Sequence, residues 1–200
     1  MKNTKQEILT YLHDNLSELA QEVCNDIYKD YWVTEALLAG GIPYREYGFL
    51  IPKKVNQGKT FMQIAGNAWG DSGHGASLWQ IDDRSFPDFI KKHPLTDVKA
   101  YMIKAVEVLI DKEKYLLSKG WTRSKLGDEL FERAVIAAYN CGQGNVHKAL
   151  SKGLDPDRYT FGGDYSKDVT QARFLYYEMF EPQQAKAENG IDRYVGEAKP

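Results

Sequence analysis

Three short stretches of this 200-residue sequence carry side chains that could do acid–base chemistry or hold a polar ligand. The first is YREY, residues 44–47, in which Glu46 follows the apolar stretch VTEALLAGGIPY. A carboxyl group between Tyr44 and Tyr47 would be partly desolvated, and desolvation raises a carboxyl pKa toward the range of a general acid. On these residues alone the simpler interpretation is a solvated Glu46 paired with Arg45 at a helix end.

The second stretch is GDSGHGASLWQIDDRSF, residues 70–86. Asp71 and Asp82 flank a loop whose glycines permit backbone conformations that are closed to other residues. Each aspartate also has a simple local interpretation. Asp71 could stabilise its own turn, and Asp82 could cap the turn that follows.

The third stretch is AAYNCGQGNV, residues 137–146. Small residues allow another element to approach closely, and Tyr139 and Asn140 supply a hydroxyl and an amide for the polar groups of a ligand. An ordinary helix end with a buried tyrosine is a simpler interpretation of the same residues.

Helices must position these stretches. An apolar stripe that begins at Ile8 and recurs every three or four residues predicts a helix from about residue 5 to 29. Similar patterns predict helices over about 96–120, 126–139, 146–150 and 164–180. Gly40, Gly41 and Pro43 should end or kink the helix before Glu46, and residues 48–70 should form a loop with at most one short turn of structure.

The pattern as a whole predicts a mainly α fold with long loops, since alternating strand patterns are scarce. With 42% hydrophobic and 27% charged residues, the chain fits one compact domain over residues 1–200. Within it we expect the N-terminal helix of about 5–29 to pack on a core of about 34–180. The remaining residues, about 181–200, should form a polar tail.

Composition excludes several function classes. A net charge of −2 and a pI of about 6.1 give no basic excess, so nucleic acid is not an expected partner. Cys24 and Cys141 show no metal-binding or disulfide pattern; two free thiols are favoured, and a single bridge stays open. The first 23 residues lack a continuous apolar run and therefore predict neither a signal peptide nor a membrane span.

The order of the blocks resembles the goose-type lysozymes and the related lytic transglycosylases. YREY is similar to their catalytic glutamate block, AWGDSGHGASLWQIDD to their GWGDxGxGxGLMQVD block, and AYNCGQGNV to AYNAGxGNV. The late helix DYSKDVTQARFLYY, with Tyr165, is similar to a fourth block. Together the blocks span about residues 34–180, and the resemblance implies a mainly α, lysozyme-like single domain with long cleft-lining loops.

The resemblance assigns roles to particular residues. It gives Glu46 the role of general acid and makes Asp71 and Asp82 the secondary acidic residues. It also implies a cleft in which Tyr139, Asn140 and Tyr165 contact the glycan, together with backbone groups of the segment that contains Ser77, Leu78 and Gln80. No metal or cofactor is needed for this chemistry.

The sequence departs from the family pattern in a few places. Tyr44 and Tyr47 replace serines beside the glutamate, Pro43 enters where the family continues a helix, and Cys141 replaces alanine. The connection from Glu46 to Asp71 is longer than in typical goose-type lysozymes and could rim or partly roof the cleft.

The implied activity is cleavage of the β-1,4 bond between N-acetylmuramic acid and N-acetylglucosamine in peptidoglycan. In an inverting hydrolase Asp71 or Asp82 would activate water, at roughly 6.5 to 9.5 Å from Glu46. In a lytic transglycosylase the C6 hydroxyl of the sugar attacks instead, giving 1,6-anhydromuramyl products. A non-catalytic glycan-binding module and action on chitin oligomers are further alternatives.

We expect a monomer that acts on the cell wall, outside the cytoplasm. Its route there is open: a trimmed form, a phage lysin released by another factor, or the cargo of an export machine.

Overall fold

The computed structural model describes residues 4–181, and over this range the chain folds mainly into helices, as predicted. Beyond Glu181 the predicted polar tail lies outside the described residues.

The first helix, α1 (Lys5–Glu22), begins where the sequence predicts. Thr4 accepts a hydrogen bond from the Glu7 amide, and the Glu7 carboxylate accepts one from the Thr4 amide, which together form a capping box. The apolar stripe, including Leu12 and Leu16, is buried. The predicted helix of 5–29 changes its hydrogen bonding near its end, because Val23–Ile27 forms a π-helical turn.

A change of helix type also precedes Glu46. Ala36–Gly41 is π-helical and passes directly into α2 (Ile42–Tyr47), so the prediction that Gly40, Gly41 and Pro43 end or kink the helix is only partly right. The chain continues as a helix because the fixed φ of proline suits the first turn of α2.

Pro43 nevertheless leaves a carbonyl without its helical partner. In the π-helical pattern the Ile42 amide bonds to the Leu37 carbonyl. The next bond in that pattern would join residue 43 to the Leu38 carbonyl, and proline has no N–H to donate. The indole Nε1–H of Trp79 donates to this carbonyl instead, at 3.0 Å.

The glycines of the π-helical segment allow the last helix, α10 (Tyr165–Phe180), to pack closely against it. A Cβ on Gly40 would lie 2.7 Å from the ring of Tyr176, and one on Gly41 would lie 3.0 Å from the Val169 carbonyl. The Tyr176 hydroxyl then donates to the buried Glu35 carboxylate at 2.6 Å. This contact fixes the helix that carries Glu46 against α10.

The prediction of a loop over residues 48–70 is wrong. Gly48–Leu50 forms a 3₁₀ turn, and two short helices follow, α3 (Ile51–Asn56) and α4 (Phe61–Ala65). Thr60 and Gln63 form a second capping box, a local signal that outweighs the missing apolar period.

A small antiparallel sheet carries the second stretch. It has the order β1–β2–β3, with β1 at Trp69–Gly70, β2 at Gly75–Ala76 and β3 at Ile81–Asp82. Trp69 pairs with Ala76, and Gly75 pairs with Asp82. Asp71 follows β1 and Asp82 ends β3, and both lie at the end of the sheet where Gly70 and Gly75 pair. The sheet therefore brings together two aspartates that are eleven positions apart in sequence.

Helices form most of the remaining chain: α5 (Pro87–Lys92), α6 (Val98–Ser118), α7 (Arg123–Leu126), α8 (Asp128–Cys141) and α9 (Gln143–Ser151). The helices predicted over about 96–120, 126–139, 146–150 and 164–180 are confirmed as α6, α8, α9 and α10, with bounds that differ by a few residues. Asp97 caps α6 by accepting from the Ala100 amide at 3.2 Å. The fully buried centre of α8, Ala134–Ala138, packs against α6 and α10, and the end of α8 presents Tyr139 and Asn140.

Cys24 and Cys141 are both free thiols, as favoured from the sequence. Within residues 4–181 no helix is long and apolar enough to span a membrane.

Candidate active site

A cavity of about 730 Å³ lies between α2, the small sheet, the end of α8 and the start of α10. It brings most of the predicted site residues together: Glu46, Asp71, Gln80, Asp82, Tyr139, Asn140 and Tyr165. Ser77 and Leu78 are not among the residues that line it. Both residues are buried, so the predicted contact of Ser77 and Leu78 with the glycan is not supported, and of this segment Gln80 and Ile81 line the cavity.

Glu46 lies in the last turn of α2, at the wall of this cavity. Burial is the strongest influence on its carboxyl group and raises the pKa to about 7. A hydrogen bond from Tyr165 and the positive charge of Arg45 lower the pKa in part, and the negative charge of Asp71 raises it. Glu46 is therefore half protonated near neutral pH, as a general acid requires.

Two tyrosines stand beside Glu46 with different partners. The Tyr165 hydroxyl donates to Glu46 Oε1 at 2.5 Å, whereas the Tyr139 hydroxyl donates to the Trp79 carbonyl at 2.8 Å. Burial and the nearby Glu46 charge raise the pKa of both phenols well above its ordinary value. Both hydroxyls thus remain neutral donors at every pH at which Glu46 titrates.

A buried carboxylate holds the start of α10 and with it Tyr165. Asp157 is fully buried, and it accepts hydrogen bonds from the Ser166 amide at 2.8 Å and the Ser166 hydroxyl at 2.7 Å. Arg133 lies 3.5 Å from the same carboxylate and balances its charge. Asp157 therefore caps α10 from outside the helix and fixes the direction of the Tyr165 side chain.

Arg45 anchors the other side of Glu46. Its guanidinium pairs with Asp164 at 2.9 Å and with Asp168 at 3.2 Å, both near the start of α10. The side chain therefore points toward α10, while the neighbouring Glu46 points into the cavity. This arrangement differs from the simple Arg45–Glu46 pair considered from the sequence.

The two candidate aspartates have different surroundings. Asp82 Oδ1 accepts from Arg84 Nε at 2.8 Å, and Oδ2 accepts from the Ser85 hydroxyl at 2.6 Å. Burial raises the pKa of Asp82, but the Ser85 and Arg84 hydrogen bonds and the Arg84 charge outweigh it and lower the pKa below its usual value. Asp71 is more exposed and has one oxygen, Oδ2, near Arg84 at 3.3 Å. Asp71 is the aspartate whose charge raises the pKa of Glu46.

The hairpin that carries these aspartates has an unusual backbone. Over residues 4–181 the non-glycine residues with positive φ are Asp71, Ser72, Ser77 and Gln80. Such conformations cost free energy and concentrate at functional sites, where the surrounding structure maintains them. Asp71 and Ser72 lie in the loop that presents Asp71 to the cavity, and Ser77 and Gln80 lie in the turn between β2 and β3.

The side chain of Gln80 accounts for the glycines at positions 70 and 75. It lies across β1 and β2, and a Cβ would lie 2.0 Å from Gln80 Oε1 at Gly70 and 2.3 Å at Gly75. The amide nitrogen donates to the Ser77 carbonyl at 2.6 Å. Gly70 and Gly75 are therefore needed for close packing and not for positive φ.

Arg84, Phe49 and Phe161 are among the residues of the cavity wall that sequence reasoning did not assign to the site. Arg84 contacts both aspartates, and its position two residues after Asp82 could have suggested this. Phe49 and Phe161 also line the cavity, with 71% and 84% of their surface exposed. Their sequence neighbours gave no periodic pattern that would separate them from core residues.

Among the described residues no group of three or more histidine, cysteine or acidic side chains is arranged to hold a metal ion.

Removing the Tyr165 hydroxyl should raise the pKa of Glu46 further. Tyr165→Phe removes a hydrogen bond that stabilises the carboxylate form, so we expect the pKa to rise from about 7 by about 1. An NMR titration of the ¹³C-labelled Glu46 carboxyl measures it.

Tyr139→Phe is the matched control, since its hydroxyl donates to the Trp79 carbonyl and not to Glu46. A pKa in Tyr165→Phe that is unchanged, or lower than in the unmodified protein, would contradict this description of the site.

No protein-family model matches the chain. Curated relatives do: it is 32% identical over 132 residues to Lysozyme g of Gallus gallus, and 31% identical over 134 residues to Lysozyme g of Struthio camelus. Lysozyme g of Casuarius casuarius is 30% identical over 132 residues. Each match covers 65% of this chain, and 54%, 56% and 62% of the respective relatives, so the chain spans little more than half of their length. Over this matched part the chain is similar to the goose-type lysozymes.

Proposed function

We propose that this protein is a glycoside hydrolase of lysozyme type, which cleaves the β-1,4 bond between N-acetylmuramic acid and N-acetylglucosamine in peptidoglycan. The observation that carries the proposal is Glu46, a carboxyl group with a pKa of about 7 at the wall of a cavity of about 730 Å³. The relatives named Lysozyme g support the same reaction class.

Glu46 protonates the oxygen of the leaving sugar. Because Oε1 accepts the Tyr165 hydroxyl, the acidic proton resides on Oε2. Proton transfer from Oε2 weakens the glycosidic bond as positive charge develops on the sugar ring. The hydrogen bond from Tyr165 then stabilises the carboxylate that is left behind.

Asp71 is the base that activates water in this proposal. Its charge acts on Glu46, its side chain is exposed, and Arg84 engages only one of its oxygens. Asp82 has hydrogen bonds on both oxygens and a lowered pKa, which makes it a weaker base. Asp82 is thus a positioning residue, which holds Arg84 against Asp71.

The glycan lies along the cavity and contacts those residues implied by the resemblance that line it. The Oδ1 atom of Asn140 accepts from the Phe161 amide at 3.0 Å, which leaves its amide nitrogen to donate to a sugar. Tyr139, Tyr165 and Gln80 shape the wall.

The site of action in this proposal is the bacterial cell wall, outside the cytoplasm, and the partner is the glycan strand, bound by a monomer without a cofactor. The exposed Asp71 beside Glu46 favours hydrolysis over transglycosylation, which needs no second carboxylate.

Glu46→Gln should abolish the clearing of cell-wall suspensions. Loss of a general acid lowers the rate by about 10²- to 10⁴-fold. Activity of the unmodified protein should also fall as the pH rises through about 7, because Glu46 must be protonated to act. Turbidity assays across pH 5 to 9 measure both effects.

Glu129→Gln is the matched control, an exposed glutamate in the first turn of α8. Clearing by Glu46→Gln at the rate of this control would overturn the assignment of Glu46. Binding of peptidoglycan without clearing by the unmodified protein would make the chain a glycan-binding module instead.

Asp71→Asn should lower the clearing rate more than Asp82→Asn. Asp71→Asn removes the proposed base, and we expect a loss of about 10²-fold or more. Asp82→Asn keeps one hydrogen-bond acceptor for Arg84 and leaves the proposed base in place, so its loss should be smaller. Steady-state rates at matched pH compare the two, and the reverse order would assign the base to Asp82.

A further inference from the structure

Two aromatic side chains at the cavity have no role in the acid–base chemistry. Phe161 is 84% exposed and Phe49 is 71% exposed, and they are the most exposed of the large apolar side chains that the structure describes. Both line the cavity that contains Glu46. Exposed apolar surface is unfavourable in water and marks binding sites when it lies in a cleft.

The backbone of Phe161 is held from two sides. Its amide donates to Asn140 Oδ1 at 3.0 Å, and its carbonyl accepts from Arg45 Nη2 at 3.2 Å. Asn140 belongs to α8 and Arg45 to α2, so two elements of the site fix the position of this one residue.

The two glycines that follow Phe161 complete its turn. Gly162 and Gly163 have φ values of +80° and +73°, which other residues rarely adopt. A Cβ on Gly162 would also lie 2.9 Å from Asp164 Oδ1, close to the salt bridge with Arg45. The turn therefore exposes the ring of Phe161, while the amide and the carbonyl of this residue both have hydrogen-bond partners.

Phe49 is presented in a similar manner. It lies in the 3₁₀ turn Gly48–Leu50, three residues after Glu46. Tyr47, Gly48 and Ile51 are buried around it, so the backbone is fixed while the ring of Phe49 faces outward.

We propose that Phe161 and Phe49 are aromatic platforms on which pyranose rings of the bound glycan stack. One face of a pyranose carries C–H groups, which are apolar and slightly positive, and the face of an aromatic ring is apolar and slightly negative. The cavity already supplies hydrogen-bonding groups for the sugar hydroxyls, but an exposed phenyl ring can recognise only this apolar face.

The inference rests on the proposed function and adds to it. Stacking recognises the pyranose ring itself and not its lactyl or peptide substituents. Phe161 and Phe49 would thus determine affinity for the glycan strand, while Glu46 and Asp71 carry out the cleavage.

The test measures binding without cleavage. Glu46→Gln serves as the background, and sedimentation with purified insoluble peptidoglycan gives the dissociation constant. In that background Phe161→Ala and Phe49→Ala should each weaken binding about tenfold, the effect of one aromatic contact. Phe161→Tyr should keep full affinity, because it keeps the aromatic face.

Two controls make the result specific. Leu154→Ala removes an apolar side chain that is 40% exposed and does not line the cavity, and it should leave binding unchanged. Phe161→Leu keeps an apolar side chain without a ring, and it should bind as weakly as Phe161→Ala. Melting temperatures should stay the same in all variants, because the ring is exposed.

The outcomes separate this inference from the proposed function. If the unmodified protein clears peptidoglycan and both alanine variants bind like the background, the stacking proposal is overturned and the proposed function stands. Full affinity of Phe161→Leu would likewise overturn stacking. If the unmodified protein neither binds nor clears peptidoglycan, the proposed function and the platforms are both overturned.

Discussion

One tryptophan joins the three stretches that carry the site. The indole of Trp79 donates to the Leu38 carbonyl, which the absent N–H of Pro43 would otherwise leave unbonded in the helix before Glu46. The carbonyl of the same Trp79 accepts the hydroxyl of Tyr139. A buried carbonyl without a donor costs about 1–3 kcal/mol, so this contact links the stability of the helix to the position of the hairpin. The distance between Glu46 and the aspartates of the hairpin depends on it.

The second constraint is electrostatic, and it favours function over stability. A carboxyl group with a pKa raised to about 7 is less stable in its charged form than it would be in water. The folded protein therefore loses stability as the pH rises from the ordinary glutamate pKa to about 7, since the unfolded chain releases that proton more readily. Tyr165 and Arg45 limit this cost, and the buried Asp157 keeps Tyr165 in place.

Local patterns predicted the helices and the candidate residues, but not how the site is arranged. Glu46 and the hairpin aspartates could be predicted because their blocks follow a recognisable order. The preference for Asp71 as base could not, because it depends on which oxygens Arg84 occupies across the fold. The short helix after Thr60 was missed although its capping box is visible in the sequence. The exposed position of Phe161 could not be predicted, because exposure is a property of the folded chain. In the sequence, a phenylalanine at this position looks the same as one in the core.

The products of the reaction test the central claim most directly. The claim is that a protonated Glu46 cleaves the glycan and that water, activated by Asp71, completes the reaction. Mass spectrometry of peptidoglycan digested in ¹⁸O-labelled water shows which nucleophile is used. The account predicts muramic acid reducing ends that carry one heavy oxygen atom, and none above background with Glu46→Gln. Anhydromuramyl ends, or labelled ends that persist in Glu46→Gln, would contradict it.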